Sequence, residues 1–77
     1  MAYRILIVDD EIEVVAMLQS FLQRNGYHAL CASDGAEAIS KAAERPDLIL
    51  LDINMPQMDG IEVCKAIREA VSCPILF

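Results

Sequence analysis

Short apolar runs alternate along the chain with longer segments in which apolar residues recur every three to four positions. The run Ile5-Leu6-Ile7-Val8 is β-branched and stops abruptly at Asp9-Asp10, the pattern of a strand buried on both faces. From position 11 to about 25, Ile12, Val15, Leu18 and Leu22 keep helical spacing, with Glu11 and Glu13 in the first turn and Gly26 as the stop. A second line beside it, Val14, Met17 and Phe21, widens the apolar face, so this helix requires two packing partners.

Residues 27–32 read as a second strand, and Asp34 with Glu37 has the spacing of a capping box opening a helix through about Glu44, closed by Arg45-Pro46. Leu48-Ile49-Leu50-Leu51 is a third buried strand, again cut off by an aspartate, Asp52. A loop follows through Asn54, Met55, Pro56, Gln57 and Met58, and Asp59 with Glu62 repeats the capping-box spacing. The third helix carries Ile61, Cys64, Ile67 and Val71 on one face, and residues 74–77 begin a fourth strand. Strands alternating with helices, βαβαβαβ, imply an α/β fold: a parallel sheet wound by right-handed crossovers.

At 77 residues the chain is one domain with a small core. Three cysteines, Cys31, Cys64 and Cys73, lie in apolar or helical patterns without a CxxC pair or signal peptide, which points to a reducing cytoplasm. No apolar run approaches the ~20 residues that span a bilayer. Six basic against twelve acidic residues give a net charge of -6, the wrong sign for holding a nucleic-acid backbone and the right one for a cation or a basic surface.

In open parallel sheets the ligand site lies beyond the carboxyl ends of the strands, near the point where the winding reverses. Asp9, Asp10 and Asp52 all follow strand ends, and they converge if the first and third strands are neighbours. Two such charges ~4 Å apart repel by about 4 kcal/mol at an effective dielectric of ~20. Either a carboxyl holds a proton or a divalent cation sits among them; an all-oxygen donor set favours magnesium, then manganese or calcium. The competing reading is that Asp9 and Asp10 only cap the first helix. Asp52 weakens it, because no helix start follows that residue immediately.

On the residues 5–11 (ILIVDDE), Gly26-Tyr27, Asp34-Gly35-Ala36-Glu37-Ala38 and 46–60 (PDLILLDINMPQMDG), the sequence resembles the receiver domain of two-component response regulators. The resemblance implies a flavodoxin-like doubly wound parallel sheet and a phosphoacceptor, Asp52, that attacks a phosphohistidine of a sensor histidine kinase. It also implies Mg2+, with Mn2+ as a substitute, bound by Asp10, Asp9, Asp52 and the backbone carbonyl of Asn54. Pro56 and Gly60 shape the loop, and Glu11 is either a helix-dipole residue or a contact to the metal's ligands.

A complete receiver has five βα units, so residues 1–77 correspond to the N-terminal part of one, an incomplete sheet ending within the fourth strand. The family's Ser/Thr and lysine that contact the phosphoryl group have no counterpart here, which implies slow phosphorylation and impaired switching. The spare stripe of the first helix and the edge of the fourth strand should stay uncovered, favouring self-association through either. Association alone, with the aspartates inert, is the rival reading. A haloacid-dehalogenase-like phosphatase lacks its second carboxylate at Asn54, and a nucleotide or flavin binder would need a glycine-rich loop where Asp9-Asp10 stand.

Overall fold

The computed structural model describes residues 3–52, 60–70 and 74–76. Its elements are β1 (Arg4–Val8), α1 (Ile12–Arg24), β2 (His28–Ala32), α2 (Gly35–Ala42), β3 (Leu48–Leu51), α3 (Gly60–Ala70) and β4 (Ile75–Leu76). All pairings are parallel and the strand order is β2-β1-β3-β4. The chain winds from β1 to one side and then, through β3, to the other, so the reversal falls between β1 and β3. This is the doubly wound, flavodoxin-like arrangement.

β1 is central because both its faces are apolar. Leu6 and Val8 join Leu30, Ala32, Ile49 and Leu51 in a core closed by Ala38 and Ala42 of α2 and Val63 and Ile67 of α3. The alternate residues Ile5 and Ile7 are buried as well, on the face over which α1 packs.

The first helix opens at Ile12 rather than Glu11 and ends in a Schellman motif: Gly26 N–H donates to Gln23 O at 3.1 Å and Tyr27 N–H to Leu22 O at 3.0 Å, with Gly26 at φ 85°. Its expected apolar line is only partly engaged. Val15, Leu18 and Leu22 are half-buried, but Ile12 is 83% exposed because it opens the helix beyond the end of β1. On the second line Val14 is half-buried while Met17 and Phe21 are 63% and 58% exposed.

At α2 the box is asymmetric. Asp34 Oδ1 accepts from Glu37 N–H at 2.8 Å, but Glu37 Oε1 reaches one residue further back, to Ser33 N–H at 2.7 Å. The helix ends at Ala42, before the expected Glu44, and Arg45 takes φ 57° as the chain turns into Pro46. The third helix is rotated from the expected face. Val63 and Ile67, an i, i+4 pair, meet the small residues of α2, Cys64 flanks them, and Ile61 is exposed. Val71, Cys73 and the Asp59 cap lie outside the described residues.

At the amino edge of the sheet, Arg4 N–H donates to Asp47 Oδ2 at 2.7 Å and Asp47 N–H to Arg4 O at 2.6 Å. This clamp starts β3 in register with β1, so that Val8 stands opposite both Ala32 and Leu51. The carboxyl ends of the three strands are therefore level.

Candidate functional site

Level strand ends bring the aspartates together. The ladder continues one step past the strands, with Asp52 N–H donating to Val8 O at 2.9 Å and Asp9 N–H to Ala32 O at 3.1 Å, so Asp9 and Asp52 leave the sheet side by side. One carboxylate oxygen from each of Asp9, Asp10 and Asp52 lies within 4.8 Å of the other two. Asp9 and Asp52 are half-buried and Asp10 is exposed.

Capping accounts for one of them in part. Asp9 Oδ1 accepts from Glu11 N–H at 2.9 Å, an Asx-type turn that redirects the chain from β1 into α1. The N-cap itself is Glu11, whose side chain makes no capping bond. Among the described residues Asp10 makes no capping hydrogen bond, so capping does not account for it. Glu11 is exposed at the helix entrance.

Among the described residues, two grooves flank the cup. One, of about 210 Å³, runs between α1 and the end of β2 past Asp9, Asp10, Cys31, Ser33 and Glu37; the other, of about 340 Å³, runs between α1 and β3–β4 past Asp9, Asp52, Leu50 and Leu76. Among the described residues neither wall contains a lysine or arginine. At 4.8 Å each pair of carboxylates repels by between about 0.9 and about 3.5 kcal/mol for effective dielectrics from ~80 to ~20.

The donor set fits a hard divalent cation. Oxygens in an octahedral shell at ~2.1 Å stand about 3 Å apart when adjacent and about 4.2 Å when opposed, so a small contraction of the triad would accommodate magnesium. Asn54, and with it Met55, Pro56 and Met58, lies outside the described residues; Gly60 opens α3.

Cys31, read from sequence only as an apolar strand position, borders the first groove. Burial pushes its thiol above the ordinary range, with Lys41 opposing and Glu37 adding to the shift. Its pairing with Ile7 placed it on the α1 side of the sheet, a signal available once the strand register is known. His28 is exposed on β2, at an edge of the sheet.

The model of the response regulator receiver domain matches residues 5–77. The alkaline phosphatase synthesis transcriptional regulatory protein PhoP of Bacillus subtilis is 55% identical over 67 residues, covering 86% of this chain and 28% of that protein. The chemotaxis protein CheY4 of Vibrio cholerae superposes with a TM-score of 0.85 at 43% identity, over 90% of this chain and 58% of that one. The response regulator TrrA of Thermotoga maritima, in its complex with the histidine kinase ThkA, superposes with a TM-score of 0.84 at 40% identity, over 95% of this chain and 65% of the other; TrrA has also been solved with Mg2+ and BeF. The chain thus spans under a third of the curated relative and about three-fifths of the solved ones. With the winding, the three level strand ends and this match along nearly its whole length, the chain belongs to the response regulator receiver domain family.

Proposed function

We propose that this chain takes a phosphoryl group onto Asp52 from the phosphohistidine of a sensor histidine kinase, with a divalent cation held by Asp9, Asp10, Asp52 and the backbone carbonyl of Asn54. The observation that carries the reading is the convergence of three carboxylates within 4.8 Å beside grooves whose described walls hold no basic residue. A bound cation would relieve the mutual repulsion of the three carboxylates. Mg2+ is the first choice and Mn2+ the substitute; either supplies charge neutralisation for the incoming phosphoryl oxygens. The kinase–regulator complex and the Mg2+ complex of the Thermotoga relative support both halves of the reading.

In the transfer, an oxygen of Asp52 forms a bond to phosphorus as the phosphorus–nitrogen bond of the donor breaks. The electron pair leaves with the imidazole, which takes up a proton. Asp9, anchored through Glu11 N–H, keeps the strand end oriented, and Asp10 contributes charge from the solvent side. The chain serves as acceptor in its own modification and turns over no free substrate, and the reading places it in the cytoplasm beside the kinase. With no basic side chain among the described residues of the groove walls, transfer from a small phosphodonor should be slow.

The test is intact-mass spectrometry after incubation with phosphorylated kinase and Mg2+. One added phosphate, lost in Asp52→Asn and cleaved by hydroxylamine, is expected; phosphate retained in Asp52→Asn overturns the assignment. A second reading, association without phosphotransfer, draws on the exposure of Met17 and Phe21 on α1 and Leu76 on the edge strand β4. It predicts no response to Mg2+.

A further inference from the structure

We propose that the groove between α1 and the carboxyl end of β2 binds a small organic cation with an apolar body, an aromatic amidine or amine. This site goes beyond phosphoacceptance; only its antagonism with Mg2+ rests on Mg2+ binding at the aspartates.

The groove, of about 210 Å³, takes its described walls from residues 9–37 alone, so β1, α1, β2 and the start of α2 build it between them. One wall is the side of α1 that carries Ile12, Val15 and Ala16, and Cys31 contributes from β2, on the sheet face over which α1 packs. Ile12, which the core leaves 83% exposed, has its apolar surface here. A cavity of roughly 150 Å³ lined by apolar side chains takes up benzene, so about 210 Å³ holds one ring with a short polar arm.

Charge selects the occupant. Asp9, Asp10 and Glu37 line the groove, and among the described residues no lysine or arginine does. Asp9 Oδ1 accepts from Glu11 N–H and Glu37 Oε1 from Ser33 N–H. The second oxygen of each, and both oxygens of Asp10, have no protein donor among the described residues. Lys41 acts on Cys31 from α2 without lining the groove, so three acids face a single base.

An anion is repelled by this set, and a neutral ring gains nothing from it. A bare metal ion satisfies the carboxylates and leaves the apolar wall against water. An amidine covers both, with its ring on Val15 and Ala16 and its planar N–H fork toward a carboxylate. Because Asp9 and Asp10 also belong to the cup, an amidinium beside them and a divalent cation between them weaken each other reciprocally. For a ligand of about nine non-hydrogen atoms such as benzamidine, the expected dissociation constant is about 1 mM.

Amide chemical-shift mapping of the 15N-labelled chain, titrated with benzamidine to about 10 mM in the presence of chelator, tests the proposal. The shifts should centre on Val15, Ala16, Gln19 and Cys31 and approach saturation. Benzamide, the uncharged isostere, should bind about tenfold more weakly, and benzoate more weakly still. Ala16→Leu, at an exposed helix position where leucine costs little, fills the groove and should abolish the shifts with circular dichroism unchanged. Glu37→Gln keeps an oxygen to accept from Ser33 N–H and should weaken binding about threefold. Shifts that rise linearly without saturating, equal binding of benzamide, or shifts centred on Leu50 and Leu76 overturn the proposal. Saturating Mg2+ should weaken benzamidine at least about threefold. A benzamidine constant unmoved by Mg2+, while Mg2+ itself shifts the Asp9 and Asp10 amides, overturns the antagonism; Mg2+ that shifts neither amide overturns the metal site instead, and the titration in chelator still decides the groove.

Discussion

Replacing Asp10 by asparagine separates the charge of the cup from its geometry. The side chain is exposed and accepts no hydrogen bond among the described residues, so the change removes charge without removing a bond. At 4.8 Å, and at the high effective dielectric suited to an exposed group, each of the two repulsions that involve Asp10 is about 0.9 kcal/mol. Losing both stabilises the metal-free chain by about 2 kcal/mol at low salt. For a domain this size that is a rise in Tm of about 8–15 °C, shrinking as salt screens the charges.

On the proposed cation site, saturating Mg2+ should reverse the order. A ligand at a hundred times its Kd adds about 2.7 kcal/mol to the native state, and the asparagine variant, having lost a ligand oxygen's charge, gains much less. Thermal unfolding of both proteins, with chelator and with Mg2+, gives the four values needed. A metal-free variant less stable than the wild type refutes the repulsion; equal Mg2+ shifts in both refute the role of Asp10 in holding the cation.

Two further outcomes concern the frame around the cup. Asp34→Ala deletes the bond to Glu37 N–H at the start of α2 and should cost about 1 kcal/mol in urea unfolding, with the slope unchanged. At Cys31 burial raises the thiol's pKa, so the folded chain holds that proton more tightly than the unfolded one. Its contribution to stability is fully present below the ordinary cysteine value of about 8.5 and is lost as pH climbs through the raised folded value. Urea midpoints from about pH 7 to about pH 10 should show a decline that Cys31→Ala flattens, and iodoacetamide should alkylate Cys31 more slowly in the native than in the unfolded chain.

How much could be read without coordinates varied with the kind of signal. The strand runs at Ile5 and Leu48 are uninterrupted and end at aspartates, so periodicity and length alone placed them within a residue of their observed bounds. Helix faces were harder. Ile12 and Ile61 fit an apolar stripe by spacing yet are exposed, because each stands near its helix start, where little of the sheet or neighbouring helix lies beneath it. The shift of the Glu37 bond from Asp34 to Ser33 was equally hidden, since both amides are within the reach of that side chain and only the local turn chooses between them.

The order of apolar and acidic residues by itself determined the alternation of strands and helices, the placing of Asp9, Asp10 and Asp52 at strand ends, and the resemblance to receiver domains. Those depend on local spacing. Tertiary structure decided that β1 lies between β2 and β3, that the clamp between Arg4 and Asp47 levels the strand ends, and that Asp52, distant in the chain, shares one cup with the adjacent Asp9 and Asp10. It also decided which side of α1 stays in water. Register and coverage are set by contacts between segments distant in sequence, and no local pattern encodes how far one strand slides along another.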